Sequence, residues 1–581
     1  MAVSIRHIAP VAHLPLVLGV LRKLDVAPLI DTMIPPNPAH VVSCGRGVEA
    51  LVLAILDGHH ALYKVGRRLD ERGMLPLLQP GLEANSVHDT RLGQILDALF
   101  AANLNRVFGA IALHALETYA IETPWLHQDT TTIALYGAYD QDAAAPDAPR
   151  PAYGHSKEGR GDLKQVLLSL GVSSDGGLPL RMGLRDGNTS DSVDVPQAIE
   201  ESLALGLDGL KGIVADSKAY SQRTLGLCLE QQVGLVTLVP RTCAIRQEVE
   251  TWGRHQSSLP LLVEKPGRTR QEPPRRWYGR SVTREVEVEY RDGRGEVAPV
   301  RFVAVYSTQL AEQHAHTYRQ AQSREAEDLA QHMVQVESRA FACAADAEAA
   351  HAEYAGRCVG QRGRPACRWR YHDVRYQVQT QWQRKKRAQR GRPPKDEPVQ
   401  QERRYRLKVA AKALVPPAAT FGWLVLATTV REQTCGDAEI VRAYREQTTT
   451  VEPGFRWIKN PAAISPVWLE KAERIAALAM LTVVGLLVYG LIQRQVRQYL
   501  QQHQQSISGN KGETAMPTAA VVFESFTSVT QVHLDLDGVA VCQVHGWQAH
   551  HRLICQALGV DSSWYEGVPN QEINPTRLRD P

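Results

Sequence analysis

The chain has 581 residues, 44% of them hydrophobic and 22% charged, with 66 Lys and Arg against 62 Asp and Glu. That length has room for about three or four domains with large buried cores. It excludes a disordered chain, a collagen-like repeat and a small disulfide-stapled scaffold. Nine scattered cysteines with no CxxC pair read as reduced thiols, and Cys343, Cys358, Cys367 and His372 lack the spacing of a standard zinc site.

Taken in chain order, residues 1–120 are predicted to be helical. GVEALVLAILDG and LGQILDALFAANLNRVFGAIALHALETYA repeat apolar residues every three or four positions, and His88 with Asp89 stands at the expected start of the second run. The stretch after Arg6 is broken by Pro10, His13 and Pro15 and shows no small-residue cleavage site, so a secretory signal is not expected. From Pro124 the pattern shifts to short apolar runs between turns: WLHQDTTTIALYG, LKQVLLSLGVS and LPLRMGL read as successive strands. A helix (VDVPQAIEESLALG), a strand (GIVAD), a helix (SQRTLGLCLEQQ) and a strand (GLVTLVP) follow. Three strands and then alternating helix and strand predict a mixed α/β sheet, not a doubly wound parallel one.

After Arg241 this pattern stops for some 200 residues. Strands are expected at SVTREVEVEY and VRFVAVYS, a long helix over 310–356, and a concentrated positive segment over 356–412, with 18 Lys and Arg against four acids. FGWLVLATT resumes the strand pattern and AEIVRAYREQTTTVEPGFRWIK reads as a helix. The run from Ile475 to Ile492 has 18 residues without a charge. Its length is marginal for a membrane span, and a helix buried in a large domain has the same pattern; a buried helix is expected, and no membrane partner. A polar break sets off a small tail domain from about 514.

Asp129 lies on the strand WLHQD and Asp216 closes the strand GIVAD. A carboxylate in mid-sheet is costly unless paired or bound to a cation, and neighbouring strands can bring two together. Capping of a turn or helix start is the simpler reading for each. In VEPGFRWIK, Glu452, Arg456 and Lys459 fall on one helical stripe, offering a carboxylate and two cations together. An exposed Glu–Arg pair has the same spacing.

These segments, with HSKEGRGDLKQVLLSLGVSSDGGLPL, GNTSD, VADSKAYS and YREQTTTVEPGFRWIKNPA, resemble the DDE transposases of bacterial insertion sequences, nearest the insertion-sequence-four superfamily with a long insertion before the last acid. The resemblance spans about residues 40–500. It implies a ribonuclease-H-like mixed-sheet core in two parts, 121–245 and 413–500, split by an insertion domain at 246–412. A helical N-terminal domain at 1–120 would serve end binding or dimerisation, and 514–581 would form the small C-terminal domain. It also implies Asp129, Asp216 and Glu452 as the catalytic, metal-binding triad for two Mg²⁺ ions, with Mn²⁺ as substitute. Tyr444, Arg456 and Lys459 would contact DNA. The superfamily spaces Tyr, Arg, Glu and Lys by two, three and six residues. Glu452 and Lys459 keep the last interval, whereas Thr448 holds the Arg position and Arg445 the Tyr position, one residue after Tyr444. The implied partners are the inverted-repeat ends and target DNA, bound by a homodimer in a synaptic complex, in the bacterial cytoplasm at the nucleoid.

The basic segment carries RGRP twice, placing Arg362, Arg364, Arg390 and Arg392 in a sequence that resembles the AT-hook core; a basic loop that only neutralises phosphates is the alternative. VHLDLDGV near the end imitates a phosphatase motif around Asp535, but too few residues follow for such a domain, so a strand and turn are expected. GNTSD reads as a turn. A ribonuclease-H-like nuclease without strand transfer, and a DNA-binding relative with a decayed site, remain the alternatives to a transposase.

Overall fold

The computed structural model describes residues 3–58, 61–137, 139, 145, 147–154, 159–267, 272–356, 369–385, 398–458, 469–509, 512–537 and 539–566. These divide into two compact units. The first comprises residues 1–246, 281–303 and 426–581, and the second comprises 247–280 and 304–425.

The first unit opens with strand β1 (Val3–Ala9) where a helix was expected. Helices α1 (Leu14–Lys23), α2 (Val26–Met33), α3 (Cys44–Leu56), α4 (Leu62–Glu71), α5 (Leu75–Leu78), α6 (Asp89–Ala101) and α7 (Leu104–Tyr119) follow. Their starts are set by local chemistry. Ser43 caps α3 by accepting from the Arg46 amide, and His88 caps α6 through Nδ1 from the Arg91 amide, satisfying N–H groups that a helix leaves unpaired.

The Thr-rich run becomes β2 (Trp125–Leu135), which pairs antiparallel with β3 (Lys164–Ser173), itself antiparallel to β4 (Pro179–Asp186). Helix α8 (Asp191–Leu203) leads to β5 (Gly212–Ala215), and α9 (Gln222–Glu230) leads to β6 (Gly234–Leu238). Both new strands are parallel: β5 lies beside β2 and β6 beside β5. Numbered within the core, the order is 3-2-1-4-5, with an antiparallel meander and then parallel strands fed by crossover helices. This large mixed sheet is consistent with a ribonuclease-H-like fold.

Helix α10 (Ala244–Arg254) ends this run, and β7 (Leu261–Lys265), β8 (Arg275–Glu289) and β9 (Gly295–Ser307) follow. The second unit holds β7 paired with the start of β8. It continues with helix α11 (Thr308–Ser338), short strand β10 (Ala340–Phe341), helix α12 (Ala344–Gly356) and strands β11 (His372–Arg384) and β12 (Gln401–Ala413). The last two form a 13-residue antiparallel ribbon with β10 at its edge, and Val336, Ala350, Tyr376, Leu407 and Val409 close a small core beneath it.

Back in the first unit, residues 426–428 of β13 (Trp423–Thr428) pair antiparallel with β6. Helix α13 (Asp437–Ile458) and helix α14 (Ala472–Gln502) follow. By length and composition α14 could cross a membrane, but 89% of its apolar window is buried. It is apolar on all sides because α3, α6, α7 and α13 surround it.

The tail is β14 (Ile507–Gly509), β15 (Gly512–Thr514), α15 (Ala519–Ser525), β16 (Thr530–Leu536), β17 (Val539–His545), α16 (Ala549–Leu558) and α17 (Ser563–Glu566). It is not a unit of its own, contrary to the expected boundary at 514. β16 pairs antiparallel with β1, and Val522, Phe526, Ile554 and Tyr565 are buried in the same core as α1 and α14. The phosphatase-like motif is indeed a strand and turn: Asp535 is paired with Arg6, and Asp537 adopts a left-handed φ of +50° between β16 and β17. The described cysteines are unbridged.

Candidate active site

The parallel pairing of β2 with β5 decides where the two aspartates go. Gln128 stands opposite Ala215, so the next residues, Asp129 and Asp216, occupy matching positions at the ends of the paired stretch. Asp216 keeps extended backbone (φ −69°, ψ −177°), and neighbouring strands run about 4.8 Å apart. The faces follow from the alternation. Gln128 donates to Ser169 Oγ at 2.8 Å, and Thr130 Oγ1 donates to Asp191 at the start of α8 at 2.7 Å. His127, Asp129 and Thr131 therefore face the opposite side of the sheet, with Leu168, Leu170 and the apolar face of α13.

Both aspartates are half-buried. Each also serves the backbone. Asp129 Oδ1 accepts from the Thr130 amide at 2.7 Å, and Asp216 Oδ1 accepts from the Lys218 amide at 2.9 Å, capping a short turn of 3₁₀ helix. The Asp216 carbonyl in turn accepts from Thr237 Oγ1 at 2.5 Å, tying the end of β5 to β6. Asp216 thus caps a turn and also stands beside Asp129 in the register of β2 and β5.

Helix α13 crosses this end of the sheet. Gln447 Nε2 donates to the Gln128 carbonyl at 3.4 Å, and Tyr444 lies half-buried near Asp216. Burial first and the Asp216 charge second push the Tyr444 phenol up to about 12, with Arg246 opposing. At neutral pH it is a neutral hydroxyl beside a carboxylate. His127, wholly buried two residues before Asp129, has its pKa lowered to about 4 by burial and stays a neutral imidazole.

Glu452 and Arg456 lie further along α13 and are exposed, while Lys459 falls outside the described residues. Arg362, Arg364, Arg390 and Arg392 lie outside them as well. The structure therefore sets Asp129 beside Asp216 and Tyr444 near Asp216, and leaves Glu452 exposed on α13. Among the described residues no group of three or more His, Cys, Asp or Glu side chains is close enough to hold a metal ion. Two carboxylates from adjacent strands still suit Mg²⁺ or Mn²⁺, since Mg²⁺ is commonly held by one or two protein carboxylates with water and substrate phosphate completing its shell.

The opposite face of the same strands carries a buried polar network that sequence reasoning missed. Arg181 donates to Gln128 Oε1 (3.2 Å), Ser169 Oγ (3.0 Å) and Glu201 (2.9 Å), while Ser169 Oγ donates to Asp194 at 2.5 Å and Arg185 pairs with Asp194 at 3.1 Å. It locks β2, β3 and β4 to α8 and so fixes the register that places Asp129. Its only sequence signal was polar residues at alternate positions of apolar strands.

Residues 5–113 match a family described as a domain of unknown function (DUF4277). No curated protein matches the chain. Among solved structures, one chain in a cryo-EM structure of a piggyBac transposase synaptic complex with hairpin DNA aligns over 50% of this chain and 60% of its own length, at 11% identity and a TM-score of 0.22. At that score the likeness carries no argument about this chain.

Proposed function

We propose that the protein is a DNA transposase of the DDE type, of the insertion-sequence-four-like kind with a long insertion, acting on the inverted-repeat ends of its own element in the bacterial cytoplasm. One observation carries the reading: a mixed sheet of order 3-2-1-4-5 presents Asp129 and Asp216 at matching positions of adjacent parallel strands, under a helix that bears further acids. Apposed carboxylates repel and are stabilised by a divalent cation, which supports reading the pair as a metal site.

Asp129 and Asp216 would hold divalent metal, Mg²⁺ or Mn²⁺, with Glu452 as the third ligand that spacing favours. When bound, the metal would supply a Lewis acid that activates water or a DNA 3′-hydroxyl and steadies the leaving oxygen. The chain's own residues do the rest. Strands β2 and β5 fix the carboxylates, Tyr444 offers a neutral hydroxyl next to Asp216, and Arg456 with Lys459 supplies positive charge for backbone phosphates. A homodimer that pairs two ends is part of the proposal.

The test uses the full-length chain on supercoiled plasmid carrying the ends of its element. Asp129→Asn and Asp216→Asn should each lower Mg²⁺- or Mn²⁺-dependent nicking at least 100-fold, while duplex binding in Ca²⁺ persists. Glu446 is the acid six residues before Glu452 on α13, and Glu446→Ala and Glu452→Ala, assayed side by side, identify the third acid by which one is inactive. Joined products distinguish a transposase from a nuclease. Nicking at the parent rate by both Asn variants would sink the proposal.

A further inference from the structure

The second unit carries a surface that the catalytic reading does not use. In the β11–β12 ribbon, even-numbered positions of β11 face inward: Val374, Tyr376 and Val378 pack on α11 and α12 with Leu407 and Val409. Odd-numbered positions face away. There Gln377 stands opposite Lys408, Gln379 opposite Arg406 and Gln381 opposite Arg404, with Arg375 and Lys412 extending the same face. Gln377, Gln379, Gln381, Lys408 and Lys412 are exposed. Arg375 is paired with Asp373 and Arg404 with Glu402, whereas Arg406, Lys408 and Lys412 form no ion pair among the described residues. Every second residue along a strand is separated by about 7 Å, so this face sets a row of amides on β11 beside a row of cations on β12.

We infer that this outward face of the β11–β12 ribbon is a duplex-DNA contact surface that enters the major groove, its glutamines meeting base edges and its lysines and arginines meeting the flanking phosphates. The inference takes its partner class from the proposed function and extends it to a surface outside the catalytic centre. Charge complementarity favours a polyanion, and the face has no large apolar side chain to bury in a lipid surface. Two antiparallel strands fit a groove about 12 Å wide. Glutamine presents a donor and an acceptor in one plane, which matches the N6 and N7 edge of adenine. A-form RNA closes the corresponding groove to side chains, so duplex RNA is a poor fit.

The experiment separates the two halves of the surface in the full-length protein. Lys408→Gln with Lys412→Gln should weaken binding to a random-sequence 30-base-pair DNA duplex about tenfold and lower the slope of log K against log salt by about 1.8, or 0.9 per lost contact. Gln377→Ala, Gln379→Ala and Gln381→Ala together keep the charge. They should leave that slope unchanged while removing adenine positions from the sequences that the protein selects out of a randomised duplex pool. Parent-like affinity and slope in the lysine variant overturn the inference. So does unchanged sequence selection in the glutamine variant, or equal binding of parent protein to duplex RNA of the same sequence. Asp129→Asn is carried through the same assays. It should lose nicking and keep both binding readouts, so a failed catalytic site and a failed ribbon give different patterns.

Discussion

Gly177 tests whether α13 is seated as the active-site reading needs, without touching a carboxylate. It lies in the β3–β4 turn with φ +66°, and a Cβ there would stand 2.7 Å from the Thr450 carbonyl oxygen of α13. Two costs follow for Gly177→Ala. A left-handed backbone costs a β-carbon-bearing residue about 1–2 kcal/mol. Forcing the methyl against a helix backbone, which cannot rotate away as a side chain can, adds about 1–3 kcal/mol. Gly206 is the control, because it also has positive φ (+61°) but nothing within 4 Å of its would-be Cβ, so Gly206→Ala carries the first cost alone. Calorimetric midpoints should fall further for Gly177→Ala than for Gly206→Ala. Metal-dependent nicking should fall about tenfold or more only for Gly177→Ala, as the helix bearing Tyr444 and Glu452 shifts against β2. Equal midpoints together with parent-level nicking would refute the described seating.

Four further outcomes are expected. At Gly485 a new Cβ would meet Trp457 at 3.4 Å and Ile55 at 3.6 Å, ordinary contact, so Gly485→Ala should be neutral or stabilise α14 by up to about 1 kcal/mol. Gly485→Asp should abolish soluble expression by burying an unpaired charge, and its stable recovery as a soluble protein would contradict the core reading of α14. Arg494, 8% exposed, binds Asp175 through Nε at 2.9 Å and Nη2 at 2.5 Å and also donates to the Tyr119 carbonyl; Asp175→Ala should cost about 3 kcal/mol by urea denaturation, and less if Arg494→Leu is added. Burial lowers the His13 pKa from 6.5 to about 4, so the unfolded chain takes up a proton first as pH falls. The stability it contributes is fully present above pH 6.5 and is lost toward pH 4, by up to about 3 kcal/mol. His13→Gln should flatten that acid limb in urea midpoints measured between pH 7.5 and 4.5.

Local periodicity made much of the fold legible. The short apolar run WLHQDTTTIAL gave β2, the uncharged run gave α14, and three strands followed by helix and strand in turn gave the mixed sheet, because each signal is contained in some ten to twenty neighbouring residues. Partners that are distant in sequence were not legible. β1 pairs with β16 more than 500 residues away, and nothing in VSIRHIA specifies that edge, so the N-terminus read as helix and the tail as a separate domain. The alternating glutamines of YQVQTQWQ were visible as letters. Their meaning as one face depended on the register with β12, which opposes each to a cation in three successive pairs.

The acids show the same division between what spacing can say and what packing decides. Asp129 within a strand and Asp216 at the close of one could each be identified singly, but only the Gln128–Ala215 pairing sets them side by side. For the third acid, sequence spacing selects Glu452, whereas the contacts of α13 with the strand ends are made by Tyr444 and Gln447. At 1.5 Å and about 100° per residue, Glu452 stands about 12 Å along the axis from Tyr444 and about 80° around it, whereas Glu446 is only about 3 Å along but about 160° around. Pro453 breaks the tie in physical terms. It donates no hydrogen bond to the preceding turn and loosens α13 directly after Glu452, so this is the point at which the helix bends at least cost. A bend there would re-aim Glu452, while Glu446, in the unbroken part of the helix, would keep its place. The paired alanine variants at 446 and 452 therefore report on the helix as much as on the chemistry: loss of nicking in Glu452→Ala alone is the result expected if α13 bends when DNA and metal bind.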